Sequence, residues 1–159
     1  MQINILAVGR LKERYLQEAQ AEYLRRLTSY AKVNVVEVAD ESIPERASQV
    51  FEEKIKVREA ERLVKHIQPG SYVVVLDREG SQMYSESFAE YLADLGLQGK
   101  SQVVFVIGGS LGLSDTILQS AHHRLSFSKM TFPHQMMRVI LLEQVYRAFK
   151  IIRGEPYHR

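Results

Sequence analysis

The chain has 159 residues, a net charge of +2, 45% hydrophobic residues and no cysteine. That length sets a single domain, residues 1–159, as the expectation, with apolar content enough for a core. The missing cysteine excludes disulfide scaffolds, cysteine-ligated zinc and cysteine nucleophiles. No apolar run approaches the ~18 residues of a membrane span, and the first residues lack a signal-peptide pattern, so a cytoplasmic location is expected.

Ile3 to Gly9 is apolar and ends at glycine, the pattern of a first strand. Lys12 to Tyr30 predicts a helix, with Leu16, Ala19, Tyr23 and Leu27 at helical spacing. Val33 to Ala39 alternates as a strand, and a polar loop follows around Asp40. Ser42 and Glu45 have capping-box spacing with Pro44 between them, so a charged helix is expected from there to His66, stopped by Pro69-Gly70. Ser71 to Asp77 contains Tyr72-Val73-Val74-Val75-Leu76, apolar on both faces, which suits a central parallel strand. Ser85 opens a helix through about Leu97, and Val103 to Ile107 is another buried strand. Ser114-Asp115 looks like a helix start, and Arg124 to Ser128 a short fifth strand. Pro133 sits near the first position of a final helix that runs to about Arg153. Strand and helix alternate throughout, which predicts an α/β domain with a mostly parallel sheet and helices on both faces.

Two glycine- and serine-rich loops leave the fourth and fifth strands. The first is Gly108-Gly109-Ser110-Leu111-Gly112 and the second runs from Ser126 to Pro133. Strands ending in bare backbone are where such sheets hold small ligands, and two such loops suggest one pocket with few charges in it. Neither a Walker loop nor a dinucleotide fingerprint is present, since no Gly-Lys-Ser/Thr follows Gly112 and the first strand leads only to Gly9-Arg10-Leu11-Lys12. In the second loop Ser126, Ser128 and Thr131 supply hydroxyls while Phe127, Met130 and Phe132 supply apolar walls. That set suits a flat purine with a short polar arm; a core strand with satisfied hydroxyls would carry it too.

The final helix is apolar on more than one face, with Met136, Met137, Val139, Ile140, Leu141, Leu142, Val145, Tyr146, Ala148 and Phe149. Such a helix needs two covers, its own sheet and most simply a second copy of the chain. Charge is also uneven. From Ser120 to Arg159 seven basic residues face two acidic ones, a local +5 that leaves −3 for the rest. A basic end suits an anionic partner, although cations also settle near helix C-termini. His122-His123 has no third ligand spaced for a metal and is assigned to the surface; no metal is expected.

The stretches Phe105-Val106-Ile107-Gly108-Gly109-Ser110-x-Gly112, Leu125 to Arg138, Glu143-Gln144-Val145-Tyr146-Arg147-Ala148 and Pro156-Tyr157-His158-Arg159 resemble one family over essentially the whole chain, Ile5 to Lys12 included. It is the trefoil-knotted, SPOUT-class RNA methyltransferases, of the RlmH type, which methylate N3 of a pseudouridine in large-subunit (23S) ribosomal RNA. The resemblance implies a SPOUT fold whose C-terminal segment is knotted, a rare exception to unknotted connectivity. It also implies a homodimer, the assembled ribosome as partner, and S-adenosylmethionine as cofactor. Carried over by position, the cofactor would lie against Leu76, Gly108 and the loop Phe127, Ser128, Lys129, Met130, Thr131 and Phe132.

Methyl transfer from a sulfonium is a one-step displacement that needs no covalent nucleophile, which fits the missing cysteine and disfavours methylation at pyrimidine carbon 5. Orientation alone contributes roughly 7–11 kcal/mol to such a step. The N3 of a uracil-like ring must lose a proton, to a neutral histidine or with a nearby cation stabilising the anion. Candidate catalytic residues are His158, Tyr157, Arg159 and Arg138, with the tail from Gly154 folding over the acceptor and Tyr157 stacking on its base. Arg138 and His134 share one helical face, which would line the pocket or cross a dimer seam. Arg10, Lys12, Arg14, Arg25 and Arg26 are candidate phosphate contacts or an ordinary solvated helix face. A non-catalytic ribosome-binding factor that keeps the same fold is the alternative, and a flavodoxin-like nucleotide-binding enzyme a third reading.

Overall fold

The computed structural model describes residues 1–159. Strands and helices alternate without exception: β1 (Gln2–Val8), α1 (Arg14–Leu27), β2 (Lys32–Val38), α2 (Gln49–Val64), β3 (Tyr72–Gln82), α3 (Ser85–Leu97), β4 (Gln102–Ile107), α4 (Asp115–Ser120), β5 (His123–Ser126) and α5 (His134–Ile152). The five strands form one sheet in the order β2-β1-β4-β3-β5, and every neighbouring pair is parallel. The expected α/β architecture is therefore the observed one.

Side chains alternate across each strand, so the register decides the two cores. Ile5 pairs with Phe105 and Ile3 with Val103. These residues, with Ala7, Val74 and Ile107, meet α1, α3 and α5 on one face. Leu6, Val8, Val104, Val106, Val73 and Val75 point the other way, against Ala60 and Leu63 of α2 and Ile117 and Leu118 around α4. The continuous apolar runs of β1, β3 and β4 are explained by these two covers.

α5 packs on β4 and against both α1 and α3. Leu141, Leu142, Val145 and Ala148 are wholly enclosed there, while Met136, Val139 and Ile140 remain partly exposed. The second cover expected for this helix is thus supplied in part by its own chain.

Two boundaries differ from expectation. The helix expected from Ser42 begins instead at Gln49, where the Ser48 side chain accepts a hydrogen bond from the Phe51 amide at 3.2 Å. The cause is a tether: the Glu41 amide donates to Glu59, and Arg62 donates to the Ala39 carbonyl and to Glu41. From Glu59 back to Gln49 the helix rises roughly 15 Å, and residues 42–48, with one turn at Pro44–Ala47, span that distance rather than join the helix. β3 is longer than the apolar run that announced it. It pairs with β5 through Leu76, leaves the ladder for residues 77–80, and pairs again at Ser81 and Gln82. Gly80 permits the return, because a Cβ there would lie 2.5 Å from the Arg124 carbonyl oxygen.

Candidate functional site

A cavity of about 780 Å³ opens at the carboxyl ends of β3, β4 and β5. This volume is within the usual range for small-molecule sites, and the position is the one parallel sheets favour. Leu76, Ile107, Leu125, Phe127 and Met137 give it apolar walls.

The turn after β4 forms one side. The Gly112 amide donates to the Gly109 carbonyl at 3.0 Å, and Gly112 has φ +84°. A Cβ at Gly108 would lie 2.8 Å from the Gly112 carbonyl carbon, so the two strands of the turn approach closer than any side chain allows. Behind this turn, on the opposite side of the sheet, stands Glu59. A Cβ at Gly109 would be 3.1 Å from its Oε2. Glu59 is buried, and desolvation pushes its carboxyl above the ordinary carboxylate range despite the bond from the Glu41 amide.

The loop after β5 forms the other side. Its serines are spent on its own shape: Ser126 Oγ donates to the Ser128 carbonyl at 3.1 Å, and Ser128 Oγ accepts from the Met130 amide at 3.0 Å. Thr131 Oγ1 accepts from Arg78 at 3.2 Å. Among the amides of residues 127–132, only that of Met130 has a protein acceptor. A loop with its amides left over, and with the Ser128 and Thr131 hydroxyl oxygens already accepting, offers a ligand donors, mostly from main chain. An adenosine-sized group with polar edges fits that donor set and these walls. Leu76, Gly108, Phe127, Ser128, Met130, Thr131 and Phe132 all line the cavity; Lys129 does not.

The remaining wall carries charge where few charges were expected. Residues Asp77, Arg78 and Glu79, the stretch that leaves the β3 ladder, line the mouth together with His134. Asp77 pairs with Arg124, which also fixes the excursion to β5. Burial, with Arg138 adding to it, lowers the His134 pKa, so the ring is neutral at neutral pH. The sequence signal for this wall was an Asp-Arg-Glu-Gly turn directly after an apolar strand. Of the helical face that His134 and Arg138 share, expected to line the pocket or cross a dimer seam, His134 lines the cavity and Arg138 does not.

The four candidate catalytic residues lie outside this cavity in their own chain. Arg138 is fully buried, donating to Glu37 at 2.5 Å and to the Gly9 carbonyl at 2.9 Å. Glu37 also accepts from the Leu11 amide, so Arg138 fastens the loop after β1 to the start of α5. The tail folds back on α5 and α3. Tyr157 donates to Glu143 at 3.0 Å, with its ring against Tyr146 and under the Arg147 guanidinium. Burial and hydrogen bonding raise the Tyr157 pKa, so its phenol stays protonated. His158 sits between Arg147 and Glu86 at 3.2 and 2.9 Å, and Arg159 is exposed. Of the basic residues near the N-terminus, Arg25 and Arg26 share Glu22 and Arg14 pairs with Glu18, while Arg10 and Lys12 have no ion pair. His122 is exposed, stacked on Tyr72 and accepting from the Val73 amide.

A family model described as a predicted SPOUT methyltransferase matches residues 1–158. Proteins named ribosomal RNA large subunit methyltransferase H are similar over full length: that of Bifidobacterium animalis subsp. lactis is 57% identical and that of Carboxydothermus hydrogenoformans 54%, each over 100% of both chains. Among solved structures, a probable methyltransferase from Bordetella pertussis superposes with a TM-score of 0.58 at 10% identity, covering 92% of this chain and 95% of that one. A probable methylase family protein from Haemophilus influenzae gives 0.55 at 13%, covering 99% and 70%. The two structural likenesses speak to the fold, and the sequence matches speak to descent. With a cavity of backbone and apolar walls at the sheet's carboxyl edge, and a match from the first residue to the last but one, the chain belongs to the SPOUT methyltransferase family.

Proposed function

We propose that this chain methylates large-subunit ribosomal RNA at N3 of a pseudouridine, as a homodimer, with S-adenosylmethionine held in the cavity between the two loops. The observation that carries the donor site is a cavity of about 780 Å³ with apolar walls, lined by a loop in which the amides of residues 127–132 other than Met130 have no protein acceptor. When bound there, the donor supplies an electrophilic methyl group on a sulfonium. The chain's part is to hold the adenosine end by main-chain groups, to exclude water with Phe127, Phe132 and Met137, and to fix the acceptor nitrogen in line. The RNA substrate follows from the relatives' names and from the full-length identity to them. The knot follows from family membership.

Because the tail does not reach the cavity of its own chain, the acceptor side is read as shared between two copies. Tyr157 anchors the tail on α5, leaving His158 and Arg159 to act over the partner's cavity, His158 receiving the N3 proton and Arg159 stabilising the anion. The partly exposed Met136, Val139 and Ile140 of α5 supply apolar surface for that pairing. Removing residues 155–159 should abolish methyl incorporation into ribosomes lacking the modification, while leaving S-adenosylhomocysteine affinity within about twofold. Methylation at an unchanged rate would overturn the role of the tail. A mass of 18.3 kDa in sedimentation, the monomer's, would overturn the shared site.

A further inference from the structure

The mouth of the cavity carries a charge pattern that methyl transfer as read above leaves unused. Among its lining residues only Asp77, Arg78 and Glu79 are charged at neutral pH, given a neutral His134. Asp77 is consumed by Arg124. That leaves one exposed ion pair, the Arg78 guanidinium and the Glu79 carboxylate at 3.3 Å, which a ligand carrying both charges can open and replace.

The wall presenting them is built rather than loose. Asp77 ties its start to β5, and its Oδ1 accepts from the Glu79 amide at 3.2 Å. Gly80 presses its end against the Arg124 carbonyl. Arg78 reaches across to Thr131 Oγ1 at 3.2 Å, joining this wall to the loop of residues 127–132.

A phosphate or an RNA backbone at this point would meet Arg78 favourably and Glu79 unfavourably. A ligand end that bears a carboxylate and an ammonium on one carbon meets both favourably. We propose that Arg78 and Glu79 form the subsite for the α-amino-acid end of the methyl donor, Arg78 taking its carboxylate and Glu79 its ammonium. This rests on reading the cavity as the donor site. Nothing in the loops themselves supplies a charge for that zwitterion, since the lining residues 107–113 and 125–134 contribute no ionised side chain. A guanidinium–carboxylate contact is a charge-assisted bond, stronger than the neutral contacts that hold an adenosine.

The test compares two ligands that share the adenosyl thioether and differ in the amino-acid end: S-adenosylhomocysteine and 5′-methylthioadenosine. Calorimetric titration of the full chain with each is expected to show binding. Arg78→Met should weaken S-adenosylhomocysteine about tenfold or more, and Glu79→Gln about threefold or more, with methylthioadenosine changed less than about twofold by either. Arg78→Lys should restore part of the loss. Both sites are exposed, and unchanged thermal unfolding confirms that each variant is folded. If both ligands bind the unmodified chain and neither substitution separates them, the subsite is wrong while the donor cavity stands. If Arg78→Met changes only the salt dependence of RNA binding, Arg78 reads phosphate and the subsite is likewise wrong. If neither ligand binds the unmodified chain, the donor reading falls and takes the subsite with it.

Discussion

A methyl group added at Gly108 has nowhere to go, because the atoms 2.8 and 2.9 Å away are the backbone of Gly112 and not a movable side chain. Gly108→Ala should therefore open the turn, cost about 1–3 kcal/mol of stability and weaken S-adenosylhomocysteine binding at least tenfold, as read by urea unfolding and titration. Glu59 gives a sharper test at the same scale. Its pKa is raised in the folded chain, so the fold binds a proton that the unfolded chain has released above roughly pH 4.3. Stability attributable to this group is present at low pH and lost as pH rises through the raised value. Glu59→Gln keeps an acceptor for the Glu41 amide and removes the charge. Its stability relative to the parent should be similar near pH 4 and increase towards pH 7; a gap that stays flat would mean Glu59 titrates normally. Arg138 shows why residue roles were the least legible part of the sequence. A cation four residues from a histidine on an apolar helix fits either a pocket or a structural clamp, and only the positions of Glu37 and Gly9, far away in the chain, decide for the clamp.

At the scale of elements, alternation and apolar runs sufficed to order all ten strands and helices, because each apolar run is short and bounded by turn residues, and the central β1, β3 and β4 are covered on both faces. What periodicity did not carry was a tether acting across the sequence. Ser42, Pro44 and Glu45 make a sound local start for a helix, yet the anchoring of Glu41 to Glu59 and Arg62 commits residues 42–48 to spanning back to the helix start, and all that forms locally is one turn at Pro44–Ala47. Ser48→Ala should cost about 1 kcal/mol in chemical unfolding, while Ser42→Ala should change stability by less than about 0.5 kcal/mol. Equal effects would return the helix start to Ser42. The excursion of residues 77–80 was hidden for a similar reason. Its register is set by β5, a strand some forty residues further on, and so the charged wall of the cavity could not be read from the run of valines before it.

For the molecule as a whole, the loops that line the cavity were visible as glycines and hydroxyls at strand ends, and the structure brings both to one opening. The tail was not placed by composition, since its partners Glu143, Arg147 and Glu86 lie on two different helices. One clamp bears on how such a chain comes into being. Arg138 donates to the carbonyl of Gly9 across 129 positions of sequence, and β1 takes β4 as one of its two neighbours. The cover over β1 thus closes only once segments far apart in the sequence have met. Contacts of such span slow folding, because loop closure must precede the gain from burial. Until α5 docks, β1 and β4 hold an apolar face uncovered, and the closing of this long-range contact is the step on which folding of the sheet depends.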